Sequence, residues 1–257
     1  MIGIGINPRT VLKNATLDDK KNLQLVFAEA SDKEPEEFNP FDRANSAEIS
    51  DDGDGLTLRI WTLKVPDDKD KKGRERTDED KLQLVQSDLD GKLNVLKHIL
   101  QNFMTTDDMR SVFDVFADTG LTREAYAADP GIYNRSMIMQ PTLDIISNNM
   151  FTQFIAAITP HLNKNTQPFR LKLRRQSKDK AFATLPDKYL KEYPFIEPSS
   201  VPEDQSRVKF SPYEVKEGLN DSSAPSRDEA EKTTTQAPSD TESMFADATE
   251  SSPFGSR

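Results

Sequence analysis

The stretch QPFRLKLRRQSKDKAFATLPDKYLKEYPFIEP, residues 167–198, decides the fold because it joins the clearest strand pattern to the densest positive charge. Apolar and basic residues alternate from Phe169 to Arg174, which is the two-residue period of a β-strand. Residues 169–191 hold eight basic side chains and two acidic ones, in a chain whose formal net charge is -10. We therefore predict a strand with one face in a core and one basic face turned to solvent or to a polyanion.

Composition narrows the classes of protein that this chain can belong to. With 257 residues, of which 35% are hydrophobic, it fits a folded domain with disordered appendages. The absence of cysteine excludes a disulfide framework and a thiolate zinc site. Only His98 and His161 are available for histidine chemistry, so we expect no metal centre and no cofactor. No apolar run approaches the ~20 residues of a membrane span, which predicts a cytoplasmic protein without a membrane partner.

Further strands are predicted in the first quarter of the chain. The segment from Arg9 to Ala30 is typical of two strands joined by a polar turn at residues 18–21. Leu56–Val65 alternates in the same way, with Arg59 and Trp61 on one face. A last short strand is predicted at residues 208–210. Together with the strand at Phe169, these segments predict an antiparallel sheet.

The middle of the chain is predicted to be helical. Thr77 followed by three acids is a helix start, and apolar residues then recur every three or four positions as far as Phe103. His98 lies off this apolar stripe and is expected to be exposed. Shorter helices are predicted at residues 107–118, from Pro141 to a stop at Pro160, and at 213–219. The fold class is therefore α+β, with a domain at residues 1–219 and helical insertions at about 77–160.

The C-terminal segment, residues 220–257, differs from the rest in composition. It carries eight acidic and three basic residues, and its large apolar residues are Met244, Phe245 and Phe254. Such a segment buries too little surface to offset its ordering entropy, so we predict a disordered acidic tail. It could occupy the basic surface when nucleic acid is absent or serve only to solubilise the domain. Phe245 and Phe254 are its candidate contacts to partner proteins.

Binding is better supported by the sequence than catalysis. The nucleotide-binding, metalloprotease, hydrolase and kinase motifs are all absent from the sequence, and we expect a protein that is not an enzyme. Basic side chains that follow phosphates, interleaved with aromatic rings that stack on bases, are the ingredients of single-stranded nucleic-acid binding. Trp61 beside Arg59 fits either a stacking platform or a half-buried core residue. The candidate contacts to single-stranded DNA are Arg59, Trp61, Arg170, Lys172, Arg174, Arg175, Lys178, Lys180 and Phe182.

The segments LKLRRQSKDKAFATLP (171–186) and PFIEP (194–198) resemble phage-encoded single-stranded-DNA-binding proteins. The resemblance implies an OB-like β-barrel with helical insertions and a disordered acidic C-terminal tail. It also implies cooperative, sequence-tolerant coating of DNA during replication, recombination or repair in the cytoplasm of a bacterial host. The tail would regulate binding and recruit replication or recombination proteins. Carried over residue by residue, the contacts to DNA fall on Arg170, Lys172, Arg174, Arg175, Lys178 and Lys180, with Phe182 as the stacking ring.

The chain departs from that family in two places. Some phage members hold a structural zinc, which cannot be bound through cysteine here. The tail also continues through Gly255, Ser256 and Arg257 after Phe254, so recognition of a terminal Pro-Phe carboxylate is in doubt. Two other functions stay open on the sequence: a viral structural or assembly protein without affinity for DNA, and a metal-dependent nuclease.

Overall fold

The computed structural model describes residues 2–30, 55–109, 111–162, 168–178, 180–186 and 191–220. The predicted acidic tail lies outside these residues, apart from Asn220. The strands are β1 (Gly5–Leu17), β2 (Leu23–Glu29), β3 (Leu56–Ile60), β4 (Phe169–Ser177), β5 (Lys180–Thr184) and β6 (Ile196–Pro198). The α-helices are α1 (Asp78–Leu100), α2 (Thr106–Met109), α3 (Arg123–Ala128), α4 (Pro130–Met137), α5 (Gln140–Leu162) and α6 (Pro212–Lys216). The predicted α+β class is confirmed.

The strands form one antiparallel sheet that nearly closes into a barrel. Its order is β3-β2-β1-β4-β5, and β6 pairs with the beginning of β4. The long strand β1 is central: residues 10–17 pair with β2, and residues 5–10 pair with β4. The two ends of the path, β3 and β5, come into contact. Helices α1 to α5 all lie between β3 and β4 in the sequence.

Local irregularities give the sheet its curvature. The ladders shift register in β1 between Leu12 and Asn14 and again between Asn7 and Thr10. Such bulges increase the right-handed twist of a strand and bend it, so that one long strand can serve both halves of a barrel. The tight turn predicted at residues 18–21 is present, and Lys21 in this turn has a φ of 61°.

The core lies between the sheet and helix α5. Leu25, Phe27 and Leu58 from the sheet are buried together with Phe154 and Ile158 from α5. Phe169 of β4 meets the rings of both Phe27 and Phe103, each with ring centroids 6.0 Å apart. The apolar faces predicted for β4 and α5 are therefore confirmed. The expected stop at Pro160 is wrong, because α5 continues to Leu162. Proline lacks the backbone N–H that a helix uses, but so close to the helix end this loss disturbs the helix little.

One strand and one helix are shorter than the sequence predicts, because polar side chains of α5 bind the backbone that follows each of them. The strand predicted as Leu56–Val65 stops at Ile60, because Ser147 accepts the Leu63 N–H (2.8 Å) and Gln140 accepts the Val65 N–H (3.1 Å). The helix predicted at 107–118 is only Thr106–Met109. Beyond it, Gln153 binds both backbone groups of Asp114, and Asn149 donates to the carbonyls of Val115 and Ala117. Residues 208–210 form no strand.

His98 is buried rather than exposed. It is 7% exposed, its ring lies 4.8 Å from that of Phe195 in an edge-on arrangement, and its Nδ1 lies 3.1 Å from Gln101 Oε1. Phe195 comes from the segment just before β6, almost a hundred residues away. The helical stripe alone could not show this contact, so the prediction of an exposed histidine is wrong.

Candidate nucleic-acid interface

The basic residues of β4 are buried, although the sequence predicts a solvated face for Arg170, Lys172 and Arg174. Arg170 and Arg174 are each 8% exposed, Lys172 is 1% exposed, and Arg175 is 0% exposed. The segment that runs from Phe195 to Leu219 covers this face, and the Arg175 N–H donates to the Leu219 carbonyl (2.8 Å). The predicted exposed basic face is therefore wrong. Contact between these four side chains and DNA stays a prediction, and it has little exposed surface to support it.

Two of these cations make ion pairs with the covering segment. Arg170 Nη1 lies 2.6 Å from Glu197 Oε1, and the Ser206 hydroxyl donates to the same carboxylate oxygen. Burial acts to raise the pKa of Glu197, but the hydrogen bonds from Ser206 and Arg170 outweigh it and hold the pKa below its usual value. This carboxylate therefore stays ionised and holds Arg170 in place.

Lys172 is more completely enclosed. Its Nζ donates to Glu214 Oε2 (3.0 Å) and to the Lys209 carbonyl (2.9 Å), and it lies 5.6 Å from the Phe210 ring centroid. Burial lowers the pKa of Lys172, while the Glu214 carboxylate acts in the opposite direction. Glu214 also accepts the Ser211 N–H (2.7 Å) in the capping box of α6. Lys172 thus fixes α6 to the barrel.

The exposed aromatic site lies at the end of β3. Trp61 is 50% exposed, and the Arg59 guanidinium carbon lies 5.3 Å from its ring centroid. Arg59 Nε is in turn 3.2 Å from Asp18 Oδ2 in the β1–β2 turn. Asn22 closes the arrangement: its amide nitrogen donates to the Asp18 carboxylate, and its Oδ1 accepts the Thr62 N–H (3.1 Å). We call Asp18, Asn22, Arg59 and Trp61 the Trp61 platform.

The platform is held from both sides. Before Trp61, the β2–β3 ladder fixes the backbone of Arg59 opposite Gln24. After Trp61, the Leu63 N–H is bound by Ser147, and Gln140 Nε2 donates to the Leu63 carbonyl (3.1 Å). An aromatic ring whose neighbours are fixed loses little further freedom when a ligand stacks on it.

Asp18 supplies the negative charge that pairs with Arg59 in the platform. Although the protein around it acts to raise the pKa of Asp18, hydrogen bonds from Asn22 and from the Lys20 N–H lower it below 3.8. The carboxylate stays ionised at neutral pH and orients Arg59 beneath the indole. Sequence reasoning found Arg59 and Trp61 but missed Asp18 and Asn22; an aspartate at the first position of a tight turn was the available signal.

The β4–β5 turn supplies the remaining exposed candidates. Phe182 on β5 is 72% exposed, and Lys178 is exposed at the turn. Because β3 and β5 are in contact, Arg59 and Phe182 lie on strands that meet where the barrel nearly closes. The side chain of Lys180, and the tail residues Phe245 and Phe254, lie outside the described part of the structure. The structure thus separates the predicted set into a buried group on β4 and an exposed group on β3, β5 and the β4–β5 turn.

No protein-family model, no curated protein and no solved structure matches this chain. Across the described ranges, none of the helices is both long and apolar enough to cross a membrane. In the same ranges, no three histidine, aspartate or glutamate side chains come together in a group that could hold a metal ion.

Proposed function

We propose that this protein binds single-stranded DNA without sequence specificity. The observation that carries the proposal is the Trp61 platform. Its indole is half exposed, and the Arg59 guanidinium lies against the ring. Exposed aromatic rings beside cations are the usual binding elements for single strands, because every base offers a face to stack on. Stacking of this kind tolerates any base, and we therefore infer that binding does not depend on the DNA sequence.

We further propose that the nearly closed five-stranded sheet is an OB-type barrel. OB folds bind oligonucleotides on the face of strands 2 and 3, between the loops that join strands 1–2 and 4–5. Here Arg59 lies on β3, Asp18 and Lys20 lie in the β1–β2 turn, and Lys178 lies in the β4–β5 turn. The exposed candidates thus occupy the positions from which OB barrels bind single strands, and this coincidence supports the assignment.

In the proposed mechanism, one base stacks on the free face of Trp61 while Arg59 supports the opposite face. A second base stacks on Phe182, and Lys178 attracts the phosphates between or beside them. No chemical step is required. We place this binding in DNA replication, recombination or repair, where single strands need protection, with the acidic tail as regulator and as contact to replication or recombination proteins.

The chain carries its own reporter for the test, because Trp61 is its only tryptophan. We expect oligo-dT to quench the intrinsic fluorescence and to bind more tightly than duplex DNA of equal length, with affinity falling as salt rises. Equal binding to both DNAs, or no binding, would contradict the proposal. Degradation of a labelled single strand in the presence of Mg²⁺ or Mn²⁺ would favour the nuclease alternative.

Replacing Trp61 tests the observation that carries the proposal. We expect Trp61→Ala to weaken oligo-dT binding about 5- to 150-fold, since stacking contributes ~1–3 kcal/mol per base. Trp61→Phe keeps an aromatic face and should lose less. The matched control is Tyr213→Ala, which removes a 64% exposed aromatic ring from α6, outside the proposed surface. Fluorescence anisotropy of a labelled oligonucleotide measures all three, and equal affinities for Trp61→Ala and Tyr213→Ala would sink the stacking role.

A further inference from the structure

Residues 68–76, DKDKKGRER, form an ordered hairpin between the platform and helix α1, which we call the lysine hairpin. Lys69 and Glu75 pair as an antiparallel bridge, and the Asp70 N–H donates to the Arg74 carbonyl (2.8 Å). At the tip the Gly73 N–H donates to the Asp70 carbonyl (2.9 Å), and Gly73 has a φ of +79° that favours glycine. A segment this rich in charge would be expected to be a loose connector, but here it has a defined shape.

Two of the three acidic side chains of the hairpin, Asp68 and Asp70, help to build it. Asp70 accepts the backbone N–H groups of Lys72 (2.8 Å) and Arg74 (2.9 Å), and its other oxygen binds the Arg74 side chain (2.7 Å). Asp68 lies 2.6 Å from Lys81 Nζ on α1, which fixes the base of the hairpin. Arg76 donates to the carbonyls of Asp67 and Lys69 from within. The carboxylates of Asp68 and Asp70 are therefore already neutralised by their own partners.

The tip lysines are left facing outward. Lys71 and Lys72 are exposed, and no ion pair joins either of them to another part of the described chain. The hydrogen-bonded turn fixes the backbone that carries both lysines, and each ammonium is a compact point charge suited to a phosphate. Ten residues separate Trp61 from Lys71, so the tip lies within about 35 Å of the platform even if the chain between them were fully extended.

We propose that the lysine hairpin is a second phosphate-contacting element, which takes the backbone of the same single strand that stacks on Trp61. The inference rests on the proposed function and adds to it a contact that lies off the barrel. A strand of several nucleotides, in the range that one OB fold covers, is long enough to run from the platform to the hairpin.

The test neutralises the two tip lysines, Lys71→Gln with Lys72→Gln, and compares oligo-dT binding across a salt series. Each phosphate contact to a single strand contributes about 0.7 to the slope of log affinity against log salt. The loss of two contacts should lower the slope by about 1.4. Between 50 and 200 mM salt, the wild type should then lose about sevenfold more affinity than the variant.

The control has the same net charge but neutralises exposed lysines on α1 and α6, Lys97→Gln with Lys216→Gln, and should keep the wild-type slope. None of the four side chains is buried, and unchanged thermal unfolding verifies that each variant is folded.

The outcomes separate the two proposals. If the wild type does not bind oligo-dT, the proposed function itself fails. If the wild type binds but the hairpin variant shows the slope of its control, the lysine hairpin is only a charged connector and this inference alone fails.

Discussion

At the scale of single residues, burial separates two lysines of the basic segment. Lys172 is enclosed by Glu214, the Lys209 carbonyl and the Phe210 ring, whereas Lys178, six residues later, is exposed. A buried charge that loses its partner carries a large desolvation cost, but an exposed charge near DNA costs little and gains counterion release. The two lysines should therefore respond oppositely to substitution.

We expect Lys172→Met to lower the free energy of unfolding by about 3–5 kcal/mol, because it leaves the Glu214 carboxylate buried without its cation. Replacing both partners, Lys172→Met with Glu214→Leu, should recover much of the loss. Lys216→Met, on the exposed side of α6, should change stability by no more than about 0.5 kcal/mol. Urea denaturation measures the series. Weaker oligo-dT binding by folded Lys172→Met at full stability would instead make Lys172 a DNA contact.

At the scale of elements, His98 joins helix α1 to the segment that leads into β6. The ring packs edge-on against Phe195, and β6 in turn carries Glu197, the partner of Arg170. Burial lowers the pKa of His98 below 6.5, and this outweighs the opposing hydrogen bonds with Gln101 and with the backbone of Ile196. The neutral imidazole is thus part of the contact between the helices and the sheet.

A lowered pKa gives a defined pH dependence. Above pH 6.5, His98 is neutral in both the folded and the unfolded chain, and its contribution to stability is full. As the pH falls below that value, the unfolded chain takes up a proton that the folded chain resists, so the free energy of unfolding decreases. Carboxylates with ordinary pKa values near 4 titrate at lower pH, which leaves a window between about pH 6.5 and 5.

Urea denaturation at a series of pH values through this window should show stability falling in the wild type and in His161→Gln. His98→Phe, which keeps a ring against Phe195, should show a flat profile. A decline of equal size in His98→Phe would assign the pH dependence to other groups.

The same elements show what could be predicted from the sequence. Local periodicity was enough for β2, most of β1, the start of α1 and the buried stripe of α5, because each depends on spacing within a few turns or pairs. It placed the end of α1 at Phe103, whereas the helix ends at Leu100. It failed for the basic face of β4, since Glu197 and Glu214 lie 27 and 42 residues beyond Arg170 and Lys172. Alternation distinguishes the two faces of a strand, but it does not show whether a later segment covers the polar one.

In the candidate site, too, residues on a local pattern were predicted and residues that act through distant contacts were not. Arg59 and Trp61 were found because they lie on one face of a recognisable strand. Asp18 and Asn22, which fix them, belong to a different hairpin, and their role depends on register between strands that the sequence does not encode locally. The ordered shape of residues 68–76 was also missed, because a dense run of charge is usually solvated. The hydrogen bonds that Asp70 accepts and the ion pair of Asp68 with Lys81 give this run its hairpin shape.

At the scale of the whole molecule, charge is segregated along the chain. Residues 78–162, which contain the helices between β3 and β4, hold twelve acidic and six basic residues, whereas residues 163–220 hold eight acidic and twelve basic ones. A polyanion is therefore repelled by the helices more than by the rest of the domain, which orients it on approach. The tail, with eight acids and three bases, carries the same sign as the ligand and is expected to compete for the same surface.

Removing residues 221–257 should therefore tighten oligo-dT binding, by up to about tenfold near 10 mM salt, where the Debye length is ~30 Å. The difference should vanish toward 1 M salt, where screening acts within ~3 Å. Ending the chain at Asn220 keeps the Leu219 carbonyl that accepts the Arg175 N–H, so the covering segment stays intact. A full-length variant with the eight tail acids changed to Asn or Gln separates charge from bulk, and it should bind like the truncated chain. Affinity equal to the wild type in both variants at low salt would show that the tail does not compete with DNA and would leave it as a contact for partner proteins alone.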